Sequence, residues 1–349
     1  MMKSQYDMTK SMVIDDTTYI IDDEGELHEV LQDKSSTGRI RPWAKHKTDS
    51  IELAGVYRHL GGDRYDRKAD RLLLCGNYLE FNVHRDDKGA ISDMKVVKTH
   101  SCRVRLCPLC GWRRSVKIQM HTAAIMRHIP SDHEYILLTL TVPNVAAQGL
   151  SGAIDNLLMG FNRLSKYKRF LGAVKGWYRG LEVTHNTNRK SKSFDTYHPH
   201  IHAILVVNKS YFNSRDYVSR DEWLSLWRKA TGDTRITQVD VRKIKPKAGH
   251  DDVRGAVCEA VKYTVKSDDY LHWDMALAAS AVAALDVALA NRRLVAYGGI
   301  MKDLHARLNL DDEIDGDLTN LSGDDTAGDD KTETICYYFH VGYCQYLRC

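Results

Sequence analysis

The sequence has no apolar run long enough to cross a bilayer comfortably. Its longest candidate, residues 275–290, is rich in alanine and is interrupted by Asp286, whereas a spanning helix needs about 20 consecutive apolar residues. The first ten residues also lack the apolar core of a secretory signal peptide. We therefore expect a cytoplasmic protein rather than a membrane-spanning or secreted one.

Three long stretches of the chain carry charges that are entirely or almost entirely of one sign. Residues 311–330 contain nine acids and no base, and residues 95–127 contain eight Lys/Arg and no acid. Residues 156–194 contain nine Lys/Arg and a single acid, Glu182. The formal net charge of +4 therefore conceals a strongly basic body beside one acidic segment. Such one-sided basic stretches are typical of proteins that bind polyanions, with solvated helix faces as the alternative explanation.

Four of the eight cysteines are grouped along the chain. Cys102, Cys107 and Cys110 have the spacing of a zinc knuckle, and Cys75 can supply a fourth thiolate from a neighbouring strand. Without a secretion signal, a metal site is favoured over disulfides. Buried cysteines without a ligand and a redox Cys-x-x-Cys pair are the alternatives. We predict that these four cysteines bind structural Zn²⁺.

The pattern of apolar residues predicts an α+β fold. From residue 135 the order is strand, helix, strand, strand, helix, strand, over residues 135–142, 150–170, 176–185, 197–207, 221–230 and 236–244. This is the order of a ferredoxin-like split βαβ fold, with an antiparallel sheet and helices on one face. Further predictions are strands over 72–83 and 94–100, a basic helix over 109–127, a helix over 252–266 and an alanine-rich helical region over 275–308.

Composition divides the chain into five predicted segments. These are a poorly structured N-terminal region (1–68), a basic zinc-binding element (69–130), a core with C-terminal helices (131–310), an acidic disordered linker (311–333) and a C-terminal strand (334–349). The last segment alternates apolar residues with others, which is typical of a strand. We expect it to return to a sheet.

Two histidines lie two residues apart at the start of an apolar run. In a strand, residues two apart point to the same face, so His200 and His202 lie side by side while Ile201 points into a core. Two such imidazoles suit one divalent ion, and a hard ion such as Mg²⁺ or Mn²⁺ also requires a carboxylate. Glu182 lies on the strand expected to pair with this one. Histidines that only bond polar neighbours are the alternative.

The predicted helix over residues 252–266 carries a second group of reactive residues. Glu259 and Tyr263 are four residues apart and share a helix face, and Lys262 and Lys266 flank the tyrosine. A phenol with a pKa of about 10 is a weak nucleophile unless nearby cations stabilise the phenolate. Alone, these residues describe an ordinary amphipathic helix. Beside a metal site they suit a nucleophile with a carboxylate one turn away.

Four short blocks occur together in one order. They are Cys102–Cys110 (CRVRLCPLC), Leu138–Val142 (LTLTV), His198–His202 (HPHIH) and Lys262–Lys266 (KYTVK). In these blocks, and over roughly residues 72–308, the chain resembles the rolling-circle plasmid replication initiators of the HUH endonuclease superfamily. Within that superfamily it is similar to the branch with one catalytic tyrosine and a nearby catalytic glutamate.

The resemblance implies a site and a reaction. It implies that His200, His202 and Glu182 bind catalytic Mg²⁺ or Mn²⁺, that Tyr263 is the nucleophile and that Glu259 activates water at termination. His198 is an additional candidate outside this primary set. The implied reaction nicks one strand at the plasmid's double-strand origin and leaves a 5′-phosphotyrosine and a 3′-OH that primes a polymerase. The enzyme later rejoins the strand.

The resemblance also implies partners. We expect plasmid origin DNA, single-stranded or in a hairpin at the nick and duplex beside it, a host helicase and a DNA polymerase, with a dimer of the chain left open. The expected DNA contacts are Arg103, Arg105, Arg113, Arg114, Lys262 and Lys266. A transposase or conjugative relaxase of the same superfamily is the closest alternative function. A non-catalytic, zinc-dependent DNA-binding regulator is the alternative from another class, and it would form no covalent adduct with DNA.

Overall fold

The computed structural model describes residues 11–15, 17–35, 38–87, 89, 91–244, 261, 265–312, 316–319 and 333–349. Over these residues the chain is a mixed α+β protein with antiparallel sheets, which agrees with the predicted class. It divides into two units, one made of residues 1–113, 273–275 and 317–349 and the other of residues 114–272 and 276–316. None of the described helices is long and apolar enough to cross a membrane.

In its described residues, the first unit has two antiparallel sheets together with helices α1 (Trp43–Leu60) and α2 (Asp63–Leu74) and the start of the helix that follows residue 107. Strands β1 (Ser11–Ile14), β2 (Thr17–Ile21) and β3 (Leu27–Glu29) form one sheet in that order, and α1 and α2 follow. Strands β4 (Tyr78–Arg85), β5 (Ile91–Thr99), β11 (Glu333–His340) and β12 (Gln345–Arg348) form the second sheet in the order β12-β11-β4-β5. The C-terminal segment therefore forms two strands, β11 and β12, whereas the sequence predicted one. Strand β11 pairs with β4, and β12 pairs with β11.

The described part of residues 1–68 corrects the prediction of a poorly structured region, because it contains β1 to β3, α1 and the start of α2. Helix α1 was missed because two of its buried positions are polar, Lys47 and Ser50. The Nζ atom of Lys47 donates hydrogen bonds to the carbonyl oxygens of Leu73 and Cys75, at 2.7 and 2.8 Å. A buried charge with such partners interrupts the apolar periodicity by which a helix is predicted.

The strand predicted over residues 72–83 is helical in its first part. Helix α2 continues to Leu74, and β4 begins only at Tyr78. Between them Gly76 has a φ of +63°, and a Cβ atom there would lie 2.2 Å from Cδ2 of Leu109. Only glycine tolerates this turn easily, so the run of leucines before it closes a helix instead of opening the strand.

The second unit is built on one five-stranded antiparallel sheet. Its elements are β6 (His133–Thr141), α4 (Leu150–Leu164), α5 (Lys168–Ala173), β7 (Val174–Asn186), β8 (Thr196–Asn208), α6 (Arg220–Thr231), β9 (Val239–Lys243), α7 (Met275–Ala288), β10 (Val295–Gly299) and α8 (Ile300–Arg307). Helix α3 (Pro108–Arg127) precedes them, and its residues 114–127 belong to this unit. The strand order is β10-β7-β8-β6-β9, so β8 is central. The alternation of elements predicted between residues 135 and 244 is present.

Helices cover both faces of this sheet, whereas the sequence predicted helices on one face. On one face, Phe161 of α4 packs edge-on against Trp177 of β7, with ring centroids 4.9 Å apart. On the opposite face, Ile204 of β8 belongs to a buried cluster with Met126 of α3 and Met301 of α8. The second layer was not predicted because α3 and α8 lie outside the six elements on which the fold prediction rested.

The predicted helical region over residues 275–308 contains a strand. Strand β10 separates α7 from α8 and pairs with β7 at the edge of the sheet. It includes Gly298 and Gly299, and glycine is depleted in strands, which explains why the sequence pattern did not predict it. Most of two other predicted segments, the helix over 252–266 and the acidic linker over 311–333, lies outside the described residues.

Candidate active site

The register of three neighbouring strands places the candidate metal ligands. Strand β8 pairs with β7 so that His200 lies opposite Glu182, and with β6 so that His202 lies opposite Thr139. Directly opposite residues share a face of the sheet, and so do His200 and His202, which are two residues apart. Ile201, between the histidines, is fully buried.

One carboxylate oxygen lies next to both histidines. The Oε2 atom of Glu182 is 3.2 Å from Nε2 of His200 and 2.8 Å from Nε2 of His202. All three side chains are buried, with residue exposures of 5%, 8% and 8%. The structure therefore brings together the three residues that the sequence predicted as one group.

The second ring nitrogen of each histidine has a partner of its own. Nδ1 of His200 lies 3.0 Å from the carbonyl oxygen of His198, and Nδ1 of His202 lies 3.2 Å from Oγ1 of Thr139. A carbonyl oxygen only accepts hydrogen bonds, so Nδ1 of His200 carries a proton. The Nε2 atoms of both rings then face the carboxylate of Glu182.

The electrostatic environment keeps the carboxylate of this group charged. Burial alone would raise the pKa of Glu182, but hydrogen bonds from His200 and His202, together with their charges, hold that pKa well below its ordinary value. A buried carboxylate that remains ionised beside two imidazoles suits a divalent cation.

The spacing of the donor atoms also fits such an ion. At metal–ligand distances of about 2.1 Å, adjacent donors of an octahedron are about 3.0 Å apart. The distances from Oε2 of Glu182 to the two Nε2 atoms, 3.2 and 2.8 Å, lie on either side of this value. Glu182, His200 and His202 could therefore hold Mg²⁺ or Mn²⁺, with the ring orientations fixed by the Nδ1 contacts.

Lys266 extends towards the same carboxylate. Its Nζ atom lies 3.9 Å from Oε1 of Glu182, and its side chain is 56% exposed. The other predicted members of its segment, Glu259, Lys262 and Tyr263, lie outside the described residues. Lys266 is thus the described residue that connects the metal-ligand group with the predicted nucleophile segment.

A histidine that the sequence analysis missed lies at the end of β7. Nδ1 of His185 is 2.9 Å from the carbonyl oxygen of Asp269, and its Nε2 is 2.8 Å from Oδ1 of Asp195. The ring stacks on Tyr197 with centroids 4.4 Å apart. His185 therefore connects β7 with the residue before β8 and with the turn that follows Lys266. A polar residue among buried strand positions was the only signal for it in the sequence.

The four predicted zinc ligands meet in the first unit. Sγ of Cys110 lies 3.6 Å from Sγ of Cys75 and 3.8 Å from Sγ of Cys102, and Sγ of Cys107 lies 3.7 Å from Sγ of Cys75. All four are buried and none forms a disulfide. Thiolates bound to Zn²⁺ at about 2.3 Å are about 3.8 Å apart in a tetrahedron. The cluster therefore fits a structural zinc ion.

Hydrogen-bond donors surround these sulfur atoms. The backbone N–H of Cys102 points to Sγ of Cys75, and that of Cys110 points to Sγ of Cys107, both at 3.5 Å. The hydroxyl of Ser50 lies 3.5 Å from Sγ of Cys107 and donates to the carbonyl oxygen of His46 at 2.7 Å. The two backbone N–H groups are therefore placed to donate to thiolates that bind a metal.

Comparison with known proteins decides the family. The family described as "Replication protein" matches residues 93–347 of the chain. A curated protein named "Protein rep" from Bacillus amyloliquefaciens is 35% identical over 340 residues, which cover 92% of this chain and 97% of that protein. The chain belongs to this family of replication proteins.

Further relatives agree with this assignment. A "Protein rep" from a Bacillus species is 39% identical over 75% of the chain and 87% of its own length, and one from Streptococcus pneumoniae serotype 2 is 31% identical over 88% and 92%. No solved structure matches the chain. The resemblance to the rolling-circle replication initiators of bacterial plasmids is confirmed at the level of the family, and with it a role as a plasmid replication initiator.

The structure corrects one predicted DNA contact of this replication protein, Arg113. Its guanidinium is buried and donates hydrogen bonds to the carbonyl oxygens of Leu318 and Thr319, at 2.9 and 2.7 Å. It also lies over the ring of Trp43, 4.9 Å from the centroid. Burial lowers the pKa of Arg113 to about 10, so the charge persists at neutral pH within the first unit. The other described contacts are at least partly exposed: Arg103, Arg105, Arg114 and Lys266.

Proposed function

We propose that this replication protein nicks and rejoins one DNA strand at the double-strand origin of its plasmid through a tyrosine–DNA intermediate. The phenol oxygen of Tyr263 attacks the scissile phosphate, a P–O bond forms to tyrosine, and the 3′-oxygen leaves as a free hydroxyl. At termination Glu259 takes a proton from the water that attacks the second cleavage site. The single tyrosine is then already bonded to DNA, so water acts as the nucleophile, and its attack breaks the P–O bond to a 3′-oxygen that leaves as a hydroxyl. That 3′-hydroxyl attacks the phosphotyrosine, which releases the phenol of Tyr263 and rejoins the strand.

The observation that carries this proposal is the convergence of Glu182, His200 and His202 on one point. Metal ions at such sites polarise phosphoryl oxygens and offset the charge that develops in the transition state. The three side chains would hold the ion, and the contacts at their Nδ1 atoms would orient the rings. Lys266, beside Glu182, would contact a phosphate or stabilise the phenolate of Tyr263. Three residues span at most about 11 Å, so chain length allows both roles.

The strand order supports assignment to the HUH fold. Strands β6, β7, β8 and β9 are arranged as β7-β8-β6-β9, all antiparallel. Two strands joined through a helix, β6 and β7, flank β8, which is the ferredoxin-like split βαβ arrangement. The additional strand β10 extends this sheet at the β7 edge.

We assign the remaining partners from the same reaction. The cysteine cluster would bind Zn²⁺ and stabilise the first unit, near Arg103 and Arg105 as contacts to duplex DNA. A host helicase would open the duplex and a host polymerase would extend the 3′-OH in the cytoplasm, where plasmids replicate. A dimer would bring a second set of contacts to the origin.

A nicking assay tests the proposed function. Supercoiled DNA of the replicon that carries the gene is incubated with the protein and low Mg²⁺, and open-circular product is measured. Glu182→Gln keeps the shape of the side chain but removes its charge, so nicking should fall by at least about 10-fold and recover partly at high Mn²⁺.

The matched control is Glu222→Gln. Glu222 is a carboxylate on α6 that pairs with Arg169 at 2.6 Å, away from the candidate ligands. Its removal should leave the nicking rate unchanged. A Glu182→Gln protein that nicks at the wild-type rate in low Mg²⁺ would exclude the assigned metal site.

A further inference from the structure

We propose that the loop between β7 and β8 binds the phosphates of single-stranded DNA next to the candidate metal site, through Arg189, Lys190 and Lys192. We call these three residues the basic tip. The inference rests on the proposed function, because it assigns the DNA strand that this site would cleave. The DNA contacts predicted from the sequence do not include these residues.

The basic tip lies at the same end of the sheet as the candidate metal ligands. Glu182 is four residues before the end of β7 at Asn186, and His200 is four residues after the start of β8 at Thr196. At about 3.3 Å per residue, the loop leaves the sheet about 13 Å beyond the ligands. A DNA strand bound at the ligands would therefore pass close to this loop.

Internal hydrogen bonds give the loop a defined shape. Nδ2 of Asn186 donates to the hydroxyls of Ser191 and Ser193, at 3.0 and 2.8 Å. The backbone N–H of Asp195 donates to the carbonyl oxygen of Asn186 at 2.8 Å, and Asp195 has a φ of +55° that closes the turn. The short polar side chains thus form the interior of the loop, and the long cationic side chains lie outside it.

The three residues of the basic tip lie at the surface. Arg189, Lys190 and Lys192 are exposed, and the guanidinium of Arg189 lies 5.6 Å from the ring centroid of Phe194. The single acid of the loop, Asp195, is bonded to His185 at 2.8 Å. Three exposed basic side chains within four residues suit a polyanion.

His185 connects this loop to the nucleophile segment. One ring nitrogen bonds Asp195 at the base of the loop, and the other bonds the carbonyl oxygen of Asp269, three residues after Lys266. A single buried side chain therefore holds both the basic tip and the turn next to the candidate metal site. Single-stranded DNA is the expected ligand because the target of such a nick must be unpaired to enter the site.

Salt dependence of DNA binding tests the proposal without knowledge of the origin sequence. Fluorescein-labelled single-stranded oligo(dT) of 30 nucleotides is titrated with full-length protein at several NaCl concentrations between 50 and 200 mM. Each phosphate contact to single-stranded DNA contributes about 0.7 to the slope of log affinity against log salt. The triple variant Arg189→Ala, Lys190→Ala, Lys192→Ala should lower this slope by about 2, and Lys192→Ala alone by about 0.7.

The matched control removes three exposed lysines that lie before β7 or at its start. Lys166, Lys168 and Lys175 are exposed, and Lys175 is eleven residues from the end of β7, or about 36 Å along the strand. The control triple to alanine changes net charge equally and should leave the slope within about 0.5 of wild type. Thermal unfolding measures whether each variant is folded. If a triple variant does not fold, the single variant Lys192→Ala still tests the proposal.

Three outcomes would overturn the proposal. They are an unchanged slope in the basic-tip variants, an equal decrease in the control, and a decrease found with a 30-base-pair duplex but not with oligo(dT). Failure of the proposed function is a separate result. If the wild-type protein never nicks DNA while the two triple variants still differ in slope, that result would support the proposed binding site and contradict the proposed nicking reaction.

Discussion

At the scale of single residues, the candidate metal site depends on the groups that hold the histidine rings. Oγ1 of Thr139 lies 3.2 Å from Nδ1 of His202. Thr139→Val keeps the side-chain shape and removes this contact, so the ring loses its fixed orientation. We expect the affinity for Mn²⁺, measured by isothermal titration calorimetry, to fall about 10-fold, because removal of such supporting groups usually weakens metal sites by 10-fold or more.

Thr141→Val is the control for that experiment. Thr141 is two residues further along β6, opposite His200, but its hydroxyl donates to the carbonyl oxygen of Gln238 at 3.4 Å. Its substitution should leave the affinity for Mn²⁺ unchanged. An equal loss in both variants would mean that the strand as a whole sets the affinity, and not the hydroxyl of Thr139.

Residue patterns indicated which candidate ligands lie together, but not which basic residues are buried. Strand alternation placed His200 and His202 on one face, and the single acid in a basic stretch indicated Glu182. Arg113 was assigned to DNA because it lies in a basic stretch, yet its partners Leu318 and Thr319 are 205 and 206 residues away. Burial that depends on such distant residues cannot be read from the local sequence.

At the scale of elements, β10 depends on a close approach to β7. Gly299 has a φ of +55°, and a Cβ atom there would lie 2.3 Å from the carbonyl oxygen of Lys175. Because backbone atoms cannot easily move aside, Gly299→Ala should lower the free energy of unfolding by roughly 1–3 kcal/mol. Urea denaturation followed by tryptophan fluorescence measures the change.

Gly152→Ala provides the comparison within the same unit. Gly152 lies in α4, and nothing is within 4 Å of the position that its Cβ atom would occupy. The substitution should raise the free energy of unfolding by about 0.5–1 kcal/mol, because alanine is the better helix former. If Gly299→Ala were as stable as the wild type, the tight β10–β7 contact would be wrong.

The elements that were predicted share strong local patterns. Strand β6 is rich in strand-forming residues from residue 135 onward, β8 has an apolar run over residues 203–207, and α4 has apolar residues at helical spacing. Helix α1 was not predicted because its buried Lys47 interrupts the apolar face, and β10 was not predicted because it is short and contains two glycines. Local propensity fails at these elements because tertiary contacts determine them.

At the scale of the whole molecule, the cysteine cluster joins segments that are far apart in sequence. Cys75 follows α2, whereas Cys107 and Cys110 lie at the start of α3. Purified wild-type protein should contain one zinc ion per chain. Cys107→Ser should lose it and unfold at a lower temperature, because the free energy of metal binding contributes directly to folding. Elemental analysis and calorimetry measure the two effects.

Cys336→Ser is the matched substitution. Cys336 is a half-buried thiol on β11, outside the cluster. This variant should retain zinc and the wild-type unfolding temperature. Wild-type protein that contains no zinc after purification without chelators would rule out the assignment.

The succession of elements from β6 to β9 along the chain could be predicted from the sequence, but the sheet of the first unit could not. In that sheet β11 pairs with β4, and the side chains of Arg85 and Glu333, 248 residues apart, are joined by a 2.7 Å hydrogen bond. No local pattern specifies a partner at that separation. The sequence could therefore predict only that the C-terminal segment is a strand that returns to a sheet.

The central claim is that this replication protein joins itself covalently to DNA through Tyr263, and one measurement tests it most directly. Wild-type protein, Tyr263→Phe and Tyr270→Phe are incubated with Mn²⁺ and a single-stranded oligonucleotide from the origin, then separated on a denaturing gel, with the modified peptide identified by mass spectrometry. Tyr270 is buried, with 2% exposure, and serves as the control. We predict an adduct with the wild type and Tyr270→Phe and none with Tyr263→Phe. An adduct that persists in Tyr263→Phe would contradict the assigned nucleophile.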